Sequence, residues 1–269
     1  MQTLTLEPRQ CQTDESIDLY YKICIIYNMV KKVKISCGSF DLLLHTNGVK
    51  TPKKIILCLQ GFNGDLWGDG FSVLKDMADD ILVCSFDSAG HGESQVKSLD
   101  MRLNLINQEI VNVVKYLSAT YENLPIIIYA ISYGAYRTMT TLAKYKLPNV
   151  KHIVLMNPAF KMLDILQKLK EFDYKSLKAG DIVPMKASLN KYLRKDFLDD
   201  IYENNVYKFK YDTKPPMTIF VGLQDGLIPR QDILSFADVY PFEIKYIDDD
   251  HCPKTPESWQ TIKEFLKSL

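Results

Sequence analysis

Pro125-Ile-Ile-Ile-Tyr-Ala-Ile-Ser132-Tyr-Gly134-Ala-Tyr136 is a continuous apolar run that ends in a serine flanked by small residues, and a helical pattern follows at once. That order describes a buried strand, a sharp turn that lifts one hydroxyl above the sheet edge, and a helix whose first amides point back at it. Small residues at Ala130 and Gly134 suit such a turn, because strand and helix backbones approach too closely there for larger side chains. A strand apolar on both faces that feeds a helix sets the expectation for the whole chain: a parallel sheet covered by helices.

The pattern repeats on both sides of this stretch. Strands are expected at residues 33–37, 40–45, 54–60, 81–86, 125–131, 150–156, 217–222 and 242–247. The middle ones are apolar on both faces and alternate with helical periodicity, the signature of a doubly wound α/β sheet. Asp100 is expected to cap a helix whose apolar stripe is Leu103, Ile106, Ile110, Val113 and Leu117. The last helix is expected to start at Thr255 as cap with Pro256 in its first turn, burying Trp259, Ile262, Phe265 and Leu266.

Residues 160–214 break the alternation. They carry helical pattern without a strand and are crowded with lysine and with aromatics, among them Phe172, Tyr174, Tyr192, Phe197 and Tyr211. This segment is read as a helical lid inserted into a core formed by residues 29–159 and 215–269, with Pro215-Pro216 returning the chain to the sheet. Residues 1–28 are read as an extension outside that core, since Met29-Val-Lys-Lys would open the first strand naturally.

Composition narrows the partners. Basic and acidic residues balance at 33 each, so neither nucleic acid nor an anionic membrane is expected. No run approaches the ~18 apolar residues of a membrane span, and the apolar residues 17–30 follow Asp14 and Glu15 rather than a basic flank. Six cysteines (11, 24, 37, 58, 84 and 252) form no CxxC or CxxH pair, which favours a reducing, cytoplasmic setting.

A serine hydroxyl needs a base within reach and an acid to orient that base. Of the four histidines, His251 follows the last strand in Asp248-Asp-Asp-His251-Cys-Pro253, on a loop at a strand's carboxyl end where sheet-based sites gather. The acid is expected on the loop after the penultimate strand, and Gly222-Leu-Gln-Asp225-Gly226 supplies it. Asp248, Asp249 and Asp250 compete, but lie so near His251 in sequence that facing geometry is harder; they are read as forming a solvated turn or tuning the local field. The tetrahedral oxyanion needs two backbone donors. One is expected from Tyr133, at the start of the helix after Ser132, and the other from Phe62 in the glycine-rich loop Gln60-Gly61-Phe62-Asn63-Gly64-Asp65.

These residues carry a resemblance. The chain resembles the α/β-hydrolase superfamily, in particular lid-bearing serine hydrolases such as monoacylglycerol lipases, cinnamoyl esterases and serine aminopeptidase-type enzymes, from about residue 33 onward. The resemblance rests on Asp87-Ser-Ala-Gly90-His91-Gly92-Glu-Ser94, on Ala130-Ile-Ser132-Tyr-Gly134, on Gly222-Leu-Gln-Asp225 and on Asp250-His251. It implies a sheet of about eight strands, a structural role for His91, and a metal-free, cofactor-free triad of Ser132, His251 and Asp225. The chain departs from the family pattern at Ala130, Ile131, Ala135 and Gln60, the last standing where many relatives carry histidine.

The resulting expectation is a serine hydrolase that cleaves small or apolar carboxylic esters through an acyl-enzyme. Gly61, Asn63, Tyr174, Tyr192 and Leu227 are expected to line the substrate site. Activity should fall as pH drops through roughly 6–7, the ordinary imidazole range. Receptor-like ligand binding without turnover, acyl transfer, and thioester or peptide cleavage stay open on the same scaffold.

Overall fold

The computed structural model describes residues 30–38, 40–68, 70–122, 124–186 and 191–269; the expectation for residues 1–28 lies outside them. The strands are β1 (Lys31–Ser36), β2 (Asp41–Thr46), β3 (Lys54–Leu59), β4 (Ile81–Phe86), β5 (Ile126–Ile131), β6 (Val150–Met156), β7 (Val183–Pro184), β8 (Tyr192–Leu193), β9 (Met217–Gly222) and β10 (Glu243–Ile247). The helices are α1 (Phe71–Leu74), α2 (Leu103–Thr120), α3 (Tyr133–Lys144), α4 (Met162–Lys168), α5 (Tyr174–Ala179), α6 (Lys195–Glu203), α7 (Arg230–Leu234) and α8 (Pro256–Ser268).

Eight strands form one sheet in the order β1-β2-β4-β3-β5-β6-β9-β10. β2 pairs antiparallel with both β1 and β4, and every other pairing is parallel. This is the α/β-hydrolase fold that the sequence led us to expect. Strand periodicity divides the central strands between two cores: Ile126, Ile128 and Ala130 of β5 face one, Ile127, Tyr129 and Ile131 the other. Burial on both faces is why these strands read as unbroken apolar runs.

Two local expectations change. The α2 stripe from Leu103 to Leu117 is buried as expected, but Asp100 does not cap the helix; it ends a short 3₁₀ turn, Ser98–Asp100. Asp200, from α6, takes the role instead, accepting from the Leu103 amide at 2.8 Å while gripping Arg102 at 2.8 and 2.7 Å. A tertiary cap of this kind is invisible to a local reading. Thr255 does cap α8, accepting from the Ser258 amide at 3.3 Å, with Pro256 at the first turn.

The second change concerns residues 160–214, which contain the antiparallel pair β7–β8 besides helices α4, α5 and α6. Strands of two residues are too short to show a period for a sequence reading to detect. The segment is joined to the core by Asp200 and by the Tyr136 hydroxyl, which donates to the Asn204 carbonyl at 2.9 Å. Among the described residues no helix is long and apolar enough to cross a membrane.

Candidate active site

β5 delivers Ser132 to the sheet's carboxyl edge with φ 54° and ψ −113°, a backbone that L-residues rarely adopt. Three bonds fix the turn: the Ser132 amide donates to Met156 O at 2.9 Å, and Ser132 O accepts from the amides of Ala135 and Ala159, both at 3.1 Å. Gly134 lets α3 lie against β3, since a Cβ there would sit 2.4 Å from Leu59 O. Tyr133 opens α3, so its amide has no acceptor four residues back along the helix.

β9 and β10 bring the other two groups together. Asp225 Oδ1 accepts from the amides of Leu227 and Ile228 at 2.7 and 3.0 Å, which turns Oδ2 toward His251 Nδ1 at 2.8 Å. A carboxylate accepts only, so Nδ1 carries the proton and Nε2 is the free base. His251 and Ser132 line the same cavity, of about 310 Å³, and among the described residues no hydrogen bond joins the hydroxyl to the imidazole. Such contacts commonly tighten only once substrate is bound.

Asn157 had no signal in the sequence. Placed directly after β6 with φ 43° and fully buried, it donates Nδ2 to the carbonyls of Asp250 and His251 at 3.1 and 2.9 Å. Its Oδ1 accepts from the Gly222 amide at 2.8 Å. One amide therefore ties the histidine loop to the end of β9. Asp249 organises the same loop from the other side, accepting from the amides of Asp250, Lys254 and Thr255 at 2.9, 2.9 and 3.0 Å. Burial opposes its charge, but these donors hold its carboxyl well below the usual range. The reading of Asp249 as part of a solvated turn is thus corrected: it is buried and fully bonded.

The glycine-rich loop closes the site. Gly61, Phe62, Asn63 and Gly64 all line the cavity, and the Phe62 ring meets Tyr133 edge-on at 5.5 Å and stacks on Phe197 at 5.9 Å. Gln60 braces this loop: its amide spans from Phe86 O to the Ser88 amide, 3.2 Å to each, and its main-chain oxygen accepts from the buried Arg137 at 3.1 Å. His91 stands behind, donating Nδ1 to Ala89 O at 2.9 Å. Burial, with Lys191 and Arg137 nearby, pushes its pKa well below the ordinary value. Of the four histidines only His251 lines the cavity of Ser132.

Gly61, Asn63 and Leu227 line that cavity, whereas Tyr174 and Tyr192 do not. Tyr174 packs on the larger core, and Tyr192 is an exposed residue of β8. Residues 160–214 instead present Met162, Ile165, Leu169 and Glu171. The first three step by three and four along α4 and its end, a stripe that was legible in the sequence but outweighed by the more conspicuous aromatics.

The fold and this constellation define the class: an α/β hydrolase. More specifically, the family described as serine aminopeptidase, S33 matches residues 50–197, more than half of the chain, and the chain belongs to it. The matched span holds Ser132 and ends before Asp225 and His251. Among solved structures, Est1E from Butyrivibrio proteoclasticus with ferulic acid bound superposes with a TM-score of 0.72 at 22% identity, covering 88% of this chain and 98% of that one. A putative hydrolase from Agrobacterium vitis gives 0.71 at 19% identity, covering 89% and 97%. The Pyrococcus furiosus esterase Pf2001 gives 0.65 at 21% identity, covering 97% and 98%. At these identities the likeness is one of fold. No curated protein matches the sequence.

Proposed function

We propose that the protein is a carboxylic-ester hydrolase working through an acyl-enzyme on Ser132. The observation that carries this reading is the hydroxyl of Ser132, on a turn of rare backbone geometry, sharing one cavity with an imidazole whose far nitrogen is bonded to Asp225.

In this mechanism His251 Nε2 takes the Ser132 proton as the oxygen attacks the acyl carbon. Asp225 fixes the tautomer and steadies the imidazolium that forms. The amides of Tyr133 and Phe62 receive the oxyanion, and His251 returns the proton to the leaving alkoxide. Water then repeats the sequence on the acyl-enzyme and frees the acid. Residues 160–214 act as the lid, supplying an apolar wall that suits an apolar acyl group; the esterase names among the structural relatives point the same way.

The test is labelling with a fluorophosphonate, followed by turnover of p-nitrophenyl acetate. Wild type should be labelled at Ser132 and turn over continuously, while Ser132→Ala should lose labelling and about 10⁴-fold or more in rate. A single burst without further turnover would instead mark a protein that binds and holds its ligand.

A further inference from the structure

A second cavity, of about 330 Å³, borders the glycine-rich loop and shares only residues 63–65 with the cavity of Ser132. Lys191 lines it while only 8% exposed. Among the described residues its ammonium makes no hydrogen bond and no ion pair. The Phe62 ring, 5.6 Å away, offers the charge a π face but no lone pair to the N–H groups. The backbone is fixed, because Lys191 O accepts from the Met185 amide at 2.8 Å. Burial lowers the Lys191 pKa to about 8, and no carboxylate draws it back up. A buried charge is costly unless it is paired. A cavity that keeps one unpaired suits a ligand that brings the opposite charge.

The rest of the lining agrees. Lys97, an exposed residue, adds a second ammonium. Ser98 Oγ accepts from the Tyr192 amide at 2.9 Å and Ser94 Oγ from the Val96 amide at 3.3 Å, which leaves both hydroxyl hydrogens to donate. Asp65 is the only carboxylate of the lining. Its Oδ1 accepts from the Trp67 amide at 2.9 Å, and among the described residues it forms no ion pair. His91, 5% exposed, is kept neutral by burial and by the charges of Lys191 and Arg137.

We propose that this cavity binds a phosphate group, as inorganic phosphate or on a small phosphomonoester, with Lys191 as its anchor. A phosphate carries about two charges and presents oxygens in tetrahedral directions. That matches ammoniums and hydroxyls gathered from the turn after β4 and from the chain before β8. A carboxylate brings one charge and two oxygens in a plane, and would leave part of the lining unused. The site uses none of the groups proposed for catalysis, so it stands whether or not the protein is an esterase.

The experiment is calorimetric titration of the full chain with sodium phosphate, glycerol phosphate and sodium acetate, at neutral pH and constant ionic strength in chloride. Phosphate should bind about 10-fold or more tightly than acetate, the margin that hydrogen bonds between charged groups give. Lys191→Met keeps most of the stem and removes the charge, so it should weaken phosphate about 10-fold or more. Lys97→Gln should weaken it less. Tighter binding of glycerol phosphate would identify a phosphomonoester as the occupant, and tighter binding of inorganic phosphate the free ion; either supports the site. Phosphate no better than acetate, an affinity unmoved by Lys191→Met, or a larger loss at Lys97 would overturn the proposal. In chloride alone Lys191→Met should melt no lower than wild type, since it removes an uncompensated buried charge. A variant that melts lower or does not fold would show that the protein itself satisfies the ammonium, and would overturn the proposal too. Silent titrations leave the labelling of Ser132 untouched, and a silent ester assay leaves the titrations untouched, so the two readings fail separately.

Discussion

Ser132 is held where a side chain is disfavoured, so the turn stores strain that the proposed chemistry requires and the fold does not. Replacing it by glycine removes the Cβ that makes φ 54° unfavourable. Ser132→Gly should therefore be more stable than wild type by about 1 kcal/mol while losing turnover. Thermal melts of wild type, Ser132→Ala and Ser132→Gly check this; a glycine variant less stable than the alanine one would show that no strain is stored. Asn157 makes a second argument at this scale. Its amide must donate twice and accept once, and only an amide does both. Asn157→Asp keeps the shape but sets a carboxylate against the carbonyls of Asp250 and His251. The expected result is a loss of about 1–3 kcal/mol in stability and a fall in kcat larger than any rise in KM, because the histidine is displaced while the cavity wall is not. Equal losses in both variants Asn157→Asp and Asn157→Ala in stability alone, with kcat intact, would deny Asn157 that role.

At the scale of elements, the site is a set of strand ends stitched by side chains from elsewhere in the chain. The strand ends were legible because a strand buried on both faces and a turn rich in small residues leave strong local patterns. Ser132, Asp225, His251 and the 60–65 loop all follow such runs. The stitching was not legible: Asp200 capping α2, Asn157 reaching the Asp250 carbonyl, and Arg137 supporting Gln60 join residues far apart in sequence, where spacing carries no information. The turn after β4 shows what such stitching does to stability. Glu109 of α2 reaches into it, accepting from the Ala89 amide at 2.9 Å and from the Ser88 hydroxyl. Burial raises the Glu109 carboxyl to about 7, against the pull of those donors and of Arg137. Its folded value thus lies above its ordinary 4.5, so the native state keeps a proton that the unfolded chain has shed. The associated stability is fully present below about pH 4.5 and is lost as pH rises through about 7. His91, depressed by burial, has the opposite slope, losing stability as pH falls below its ordinary 6.5. The difference in stability between wild type and Glu109→Gln isolates the first contribution. It should shift in favour of the variant as pH rises from 4.5 to 7, and a difference flat across that range would remove Glu109 from the account.

Across the whole molecule, residues 160–214 and the sheet meet over the glycine-rich loop at residues 60–65, and the contact is aromatic. Phe197 of α6 is 1% exposed, stacks on Phe62 at an 8° angle and meets Tyr133 edge-on at 6.2 Å. Lys191, which precedes β8 at once, places its ammonium 5.6 Å from the centre of the Phe62 ring, and burial lowers its pKa to about 8. The two residues proposed to donate to the oxyanion are thus packed from above by the insertion and braced from below by Gln60 and Arg137. Backbone donors serve a transition state only if they are held in place beforehand. Position in the loop is therefore a property of the assembled molecule and not of residues 60–65 alone. Phe197→Ala should cost about 3–5 kcal/mol in stability, the range for deleting a buried phenylalanine. It should also lower kcat, because Phe62 loses the ring that stacks on it. Phe197→Leu refills much of the volume without the stacked face, so it should recover most of the stability and less of the rate. Urea titrations and steady-state kinetics on the three proteins separate the two effects. If the leucine variant regains rate and stability in equal measure, the insertion contributes packing alone, and the oxyanion loop is set without its help.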